Sequence, residues 1–453
     1  MSARARHLAI VLHTHMPYVE GFGTWPFGEE WLWEAMATSY LPLAEVLDAF
    51  PDRVTLSVTP VLADQLRAGG VAERFRAFLS DLRERSHALD LEAHPELAGP
   101  LEHSLGRYRW AADAFDGDLA GRLAPHVRWT SAATHAVLPL LATDAGVRLQ
   151  VRSGVEAFAE RFGRWGGGFW LPECAHDPAL DPLLEEAGVA WTCVELTDVT
   201  GVSPLTPLRS AAGPVLVPVD RAVIDLVWGA DGYPSRGAYL DTHAFTTRRH
   251  LAWSVDGAIY DPARAAAQAQ ADAADLVSRV SARLAGGGLC VLALDTELLG
   301  HWWVEGVEWL AHVLEQAAGA DFQFAVLDDA LPGLAAEPAP PLPVTTWGQP
   351  RTLATWSGPA ASGLAWRARA AELRVVAAAA AGGVPERAVR ELLALQSSDW
   401  AFLATRGTAG PYPLGRFEGH EAALAAALAD PAGVAADLRG LAPWPALGAL
   451  VEP

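Results

Sequence analysis

Two acids in this chain each stand directly after a short apolar run. Glu173 follows residues 168–172, and Asp295 follows residues 289–294. Two carboxyls brought about 5 Å apart from separate segments can cleave and remake a glycosidic bond with retention. One attacks the anomeric carbon; the other protonates the leaving oxygen and later deprotonates the incoming one. The run 8–13 leads into His13 and His15, which lie two apart on an extended chain and so face one side. The run 127–131 leads to Thr134 and His135, and Asp295 is followed by Glu297, His301, Trp302 and Trp303. Imidazoles can bond sugar hydroxyls and indole faces can stack on sugar rings. The His-x-His pair equally fits a metal-dependent hydrolase, because two imidazoles at a strand end are a common ligand pair.

Each residue alone has a plainer reading. A carboxylate after a strand often caps a helix, as Asp295 could. Trp302 and Trp303 could be core. Glu173 is a poorer cap, and it lies between Pro172 and Cys174 in an apolar, aromatic stretch where burying a carboxylate without purpose is costly. The functional reading rests on the convergence of these groups at several run ends.

Parallel strands must carry those ends. The runs 8–13, 54–58, 127–131, 168–172, 189–194, 215–219, 289–294 and 324–327 are short and apolar, as strands buried on both faces are. Helical patterns cover 32–50, 61–87, 136–162, 178–187, 262–284 and 306–318. Repeated β-then-α order predicts an α/β fold, and seven or eight strands suggest a barrel, whose reactive groups sit at the carboxyl ends of the strands. Residues 337–344, EPAPPLPV, read as a linker between a catalytic unit, 1–336, and a helical C-terminal unit, 345–453.

The formal net charge of −21 over 453 residues excludes a nucleic-acid partner, since no basic stripe offsets it; a neutral substrate is indifferent to it. Three scattered cysteines give neither a disulfide framework nor a zinc motif, and a reducing, cytoplasmic location fits them. No run is long enough for a signal peptide core or a membrane span, so no membrane partner is expected. Eighteen tryptophans imply either an unusually aromatic core or indoles displayed to flat-faced ligands.

The stretches LHTHMPY (12–18), WTSAATHAVLPLL (129–141), GFWLPECAH (168–176), LDTELLGHWWVEG (294–306) and LLALQSSDWAFL (392–403) resemble glycoside hydrolase family 57, and within it the α-1,4-glucan branching enzymes. The resemblance implies an incomplete (β/α)7 barrel with a C-terminal all-helical domain that completes the cleft. It implies Glu173 as nucleophile, Asp295 as general acid/base, and His15 and His135 as sugar contacts at the reacting subsite. Trp25, Trp253, Trp347 and Trp356 look like the family's aromatic platforms, and Asp399, beside Trp400, like its substrate-contacting aspartate. With His13, His301 and Trp302 these make the candidate site. The expected partner is an α-glucan, the expected oligomeric state a monomer, and neither metal nor other cofactor is implied. Two features depart from the family's pattern. His176 stands where the family often has tyrosine. Residues 197–228, matching a segment that carries a tyrosine-tipped loop over the cleft, are short and lack tyrosine. Weaker exclusion of water, and so a larger share of hydrolysis, follows. Residues 233–243, with two tyrosines, are the alternative cover.

Overall fold

The computed structural model describes residues 5–23, 27–430 and 440–452; Trp25 lies outside them. Ten strands form one sheet: β1 (Arg6–Thr14), β2 (Val54–Val58), β3 (Val127–Ser131), β4 (Gly168–Trp170), β5 (Trp191–Val194), β6 (Leu208–Arg209), β7 (Val215–Pro218), β8 (Gly288–Asp295), β9 (Gln323–Phe324) and β10 (Glu337–Pro338). The order is β10-β6-β7-β5-β4-β3-β2-β1-β8, with β9 on β1. From β7 to β8 the seven consecutive strands are all parallel. This is the incomplete seven-stranded barrel that the family resemblance implies, and it lies within the seven or eight strands that the apolar runs suggest. Its open seam, between β7 and β8, is bridged where the Asp220 N–H donates to the Val291 carbonyl at 2.9 Å.

Register places the chemistry. His13 of β1 is opposite Asp295 of β8 on one side and Ser57 of β2 on the other. The central residues of β1 and β8 are solvent-free, so slippage by one residue would turn the imidazole of His13 into the helical layer.

The helix expected over 32–50 is continuous but changes pitch. Glu29–Ala35 and Leu41–Ala49 are α-helical, and Met36–Tyr40 between them is a π turn. That bulge faces the segment after β8. Gly300 sits at φ +90° against it, and a Cβ there would lie 1.9 Å from the Thr38 carbonyl oxygen. Ser39 donates to the Thr296 carbonyl at 3.1 Å, and the Tyr40 hydroxyl reaches Glu297 at 2.6 Å.

Residues 337–344 are not a free linker. Glu337–Pro338 pair with β6, and Ala339 and Leu342 pack on the cluster of Phe169, Leu171 and Val194. Proline is tolerated there because the strand is an edge. Beyond it come the helices Ser362–Ala380, Glu386–Leu395, Ser398–Arg406 and Tyr412–Ala429. Their core, with Val375, Val389, Leu392 and Phe417, also takes in Tyr18, Val61, Ala133 and Leu149 from the barrel side. Buried Glu372 accepts from the Ala142 and Thr143 N–H groups at 2.9 and 2.8 Å. Apolar contact and hydrogen bonds thus join the helices to the barrel.

Gly300→Ala should lower stability by roughly 1–3 kcal/mol, because the close approach leaves no room for a methyl group and the positive φ strains any L side chain. An unchanged denaturant midpoint would contradict the assigned packing of this loop on the π turn.

Candidate active site

Four carboxylates and three imidazoles meet at the carboxyl ends of β1, β3, β4 and β8. Glu173 follows β4 in a single 3₁₀ turn, Pro172–Cys174, with φ 62° and ψ 22°. Cys174 and His135 also have positive φ, 47° and 60°. Left-handed backbone is uncommon for residues other than glycine, and it persists where surrounding contacts over-determine it. For Glu173 those contacts come from far along the chain. The Trp347 N–H donates to the Glu173 carbonyl at 3.1 Å, and Trp347 Nε1 donates to Glu173 Oε2 at 3.1 Å.

The segment 396–399 closes another side. Ala136 pairs with Ser397, and the Ser398 N–H donates to the His135 carbonyl at 3.1 Å. Ser398 Oγ bonds His135 Nδ1 at 2.9 Å and also reaches the Glu173 carboxylate. His15 Nε2 donates to Asp399 Oδ2 at 2.9 Å, while its backbone N–H donates to Glu297 Oε1 at 3.0 Å. His13 is bonded at both ring nitrogens, to Ser57 Oγ at 3.1 Å and His135 Nε2 at 2.9 Å.

Burial disfavours charge on every one of these groups, and their partners decide the outcome. Burial pushes Asp295 well above the usual carboxylate range, and the negative charges of Glu297, Glu173 and Asp399 push it further. Burial also raises Glu173, but donors from Trp347 and Ser398 oppose the shift by stabilising its anion. Glu297 is raised by burial to about 7, against the Tyr40 hydrogen bond. Burial opposes ionisation of Asp399 too, yet His15 holds its carboxyl at about 2. In turn Asp399 outweighs the burial of His15 and raises its pKa. His13 and His135 are pushed well down by burial and by their neighbouring imidazoles. The arrangement therefore offers one carboxyl pushed strongly toward its protonated form, one whose anion has two hydrogen-bond donors, and one ion pair, His15–Asp399.

Several expected positions are corrected. His13 is 1% exposed, so it supports His135 rather than meeting a ligand. Trp356 and Trp400 are 2% and 1% exposed. Trp356 packs with Val137 and Ala175, and Trp400 donates its indole N–H to the Ala394 carbonyl at 2.8 Å, so neither presents a face. Of the paired indoles, Trp303 is core and Trp302 is 54% exposed, its ring 4.8 Å from His301 edge-on. His301 is held neutral by burial and nearby arginines, with a pKa of about 4. Trp253 is half-buried against Leu97 and Leu101. His176 is buried and bonds Asp181 at 2.8 Å.

The segment 197–228 contains β6, β7 and the helix Arg221–Trp228, with turns and irregular chain over the rest. Tyr233 and Tyr239 do not tip a lid: both are buried, bonding Asp275 and Asp272 at 2.8 and 2.7 Å.

Sequence reasoning left Glu297, Ser398 and Tyr40 out of the site. Glu297 is two residues after Asp295 on the same turn, and that spacing was the available signal. Tyr40 had none, because only the π bulge brings it there.

His15, His135 and Asp399 offer donor atoms within 4.8 Å of one another, the spacing that the His-x-His motif raised for a metal. Their donors are committed. His15 and Asp399 bond each other, and His135 uses both nitrogens on His13 and Ser398. A divalent ion would have to break these bonds.

A parallel barrel with titratable groups of unequal acidity clustered at its strand ends is the arrangement of an enzyme. Residues 129–332 match the model described as "Glycosyl hydrolase family 57", and residues 369–434 match "1,4-alpha-glucan branching enzyme, C-terminal". The protein "1,4-alpha-glucan branching enzyme TK1436" of Thermococcus kodakarensis is 31% identical, over 90% of this chain and 71% of its own length. "Probable 1,4-alpha-glucan branching enzyme Rv3031" of Mycobacterium tuberculosis is 29% identical, over 91% of this chain and 89% of its own. The crystal structure of a GH57-type branching enzyme from Pyrococcus horikoshii superposes with a TM-score of 0.87 at 31% identity, over 93% of this chain and 90% of that one. The chain belongs to glycoside hydrolase family 57.

If Glu297 adds to the charge that keeps Asp295 protonated, Glu297→Gln should move the alkaline limb of the pH–rate profile to lower pH. A neutral amide removes repulsion, so Asp295 loses its proton earlier as pH rises. An alkaline limb that stays in place would show that Glu297 does not act on Asp295.

Proposed function

We propose that this chain is a 1,4-α-glucan branching enzyme, cleaving an α-1,4 bond and passing the bound glucan to a 6-hydroxyl with retention. The observation that carries this reading is the unequal treatment of two largely buried carboxyls at the ends of β4 and β8. Burial raises both, but hydrogen bonds from Trp347 and Ser398 limit the rise at Glu173, whereas the negative charges of Glu297, Glu173 and Asp399 add to it at Asp295. Glu173 would attack the anomeric carbon while Asp295 protonates the departing 4-oxygen. Asp295, now ionised, would take the proton of the acceptor 6-hydroxyl as that oxygen displaces Glu173.

His15, ion-paired with Asp399, is the partly exposed imidazole suited to orient a sugar hydroxyl. Of the candidate site's described indoles, Trp302 is exposed and Trp347 and Trp253 are partly so, leaving surface to meet a ring. The branching enzymes among the relatives support the reaction class, and the match over residues 369–434 supports a role for the C-terminal helices in it. We divide the chain functionally near residues 337–344, with 345–453 supplying Trp347, Ser398 and Asp399 to a site built on the barrel. Synthesis of a glycogen-like polysaccharide in the cytoplasm by a monomer is the setting this reading implies.

One observation favours an accompanying hydrolysis. Among the described residues, the tyrosines of 229–261 are locked in the core, so water exclusion falls to other groups.

On amylose, debranching followed by counting chains and reducing ends should reveal new α-1,6 links together with a measurable hydrolytic share. Glu173→Gln and Asp295→Asn should each lose both activities by at least about a hundredfold, since the first cannot form the glycosyl-enzyme and the second cannot protonate the leaving oxygen. Either variant retaining more than a few per cent of turnover would overturn the assignment. Reducing ends without α-1,6 links in the parent enzyme would make it a hydrolase.

A further inference from the structure

The helix Arg221–Trp228 begins with a cation, the wrong sign for the positive end of a helix dipole. The reason lies at the end of β5. Glu195, 1% exposed, accepts from Arg221 Nε at 3.0 Å and Nη2 at 2.5 Å through one oxygen, and from the Thr197 N–H at 2.9 Å through the other. The same Arg221 Nη2 donates to the Trp347 carbonyl at 3.3 Å. Trp347 is the residue whose peptide and indole N–H groups both hold Glu173. Its ring meets Trp170 edge-on at 5.0 Å, and Trp170 stacks on His13 at 4.8 Å.

We propose that Arg221, braced by Glu195, is a positioning residue for the nucleophile: it fixes the Trp347 peptide, and through it the left-handed turn and carboxylate of Glu173. Arg221 does not touch Glu173 itself. The turn at Glu173 and Cys174 is one the backbone would not adopt unaided, and a contact that over-determines it must itself be rigid. A buried, hydrogen-bonded Arg–carboxylate pair meets that requirement better than a lysine could, because its planar fork spans two acceptors at once. The Arg351–Asp198 pair lies on the turn that carries Trp347, where the Thr346 N–H donates to the Arg351 carbonyl at 3.4 Å. The proposal rests on Glu173 being the nucleophile.

The test is a double-mutant cycle on amylose with Arg221→Met, Trp347→Phe and both together, with Arg221→Lys and Glu195→Gln as milder variants. Arg221→Met should lower kcat roughly tenfold and change KM less than twofold, with Arg221→Lys recovering part of the loss. The double variant should fall short of the product of the single effects by threefold or more, because both act on one chain of bonds. The acid limb of the pH profile should also move to higher pH in Arg221→Met, since a loosened indole N–H stabilises the Glu173 anion less. Asp295, Asp399, His15 and His135 are the other titratable groups facing Glu173, and all stay in place in these variants. If Arg221→Met does not fold, Glu195→Gln must reproduce the kcat loss and the limb shift in folded protein. Independent effects in the cycle, a change confined to KM, or an unmoved acid limb would each overturn the proposal. Full activity in Arg221→Met beside an inactive Glu173→Gln would overturn only this inference, whereas an active Glu173→Gln would remove the nucleophile assignment beneath it.

Discussion

The structure depends on the cost of burying Glu173, Asp295, Glu297 and Asp399 together. Removing even one ionised carboxylate from water costs several kcal/mol unless a partner compensates. Each of the four meets that cost differently. Asp399 stays ionised against His15. Burial raises Glu173, and hydrogen bonds from Trp347 and Ser398 limit that rise. Glu297, held by Tyr40 and the His15 N–H, is poised near neutrality. Asp295 has carboxylates as its electrostatic neighbours and is best accommodated with its proton on. The division of labour that a double displacement needs thus follows from where the donors are.

Those donors come from distant parts of the chain. Glu173 and Asp295 belong to β-strand ends, but Trp347 and Ser398 arrive after the sheet's last strand. The π turn at Met36–Tyr40 and the close approach at Gly300 set the loop after β8, and Arg221 with Glu195 secures the turn carrying Trp347. The barrel places the reacting carboxyls, and the appended segments tune them. A rigid parallel sheet with its site-tuning groups on connecting segments allows one frame to serve different chemistries.

Much of this was legible in the sequence. Strands at Val54–Val58 and Val127–Ser131 fall where the runs predicted, because β-branched and aromatic residues mark them even where Ser57 and Arg128 interrupt the apolar character. Helix Ala98–Ala114 was not anticipated, since Gly99 and Pro100 at its start and a largely polar sequence hide the period. Glu173, Asp295, His15, His135 and Asp399, each in a distinctive motif, do come together, and Trp347 joins them. The tryptophans misled. Trp356 and Trp400 share with Trp347 a place after the proline-rich segment, and an indole that fills a core reads in sequence like one that lines a cleft. Within 197–228, β6 pairs locally with β7 and also takes β10 from far along the chain, a pairing that local pattern could not show.

The central claim is that Glu173 becomes covalently glycosylated while Asp295 manages protons. Incubating Asp295→Asn with an α-glucosyl donor bearing a fluoride leaving group, which departs without acid assistance, should allow the glycosyl-enzyme to form and slow its turnover. Peptide mapping by mass spectrometry should then find the added hexose on the peptide containing Glu173, at the Glu173 side chain. Hexose on any other residue, or no adduct together with release of a product of inverted anomeric configuration, would contradict the account.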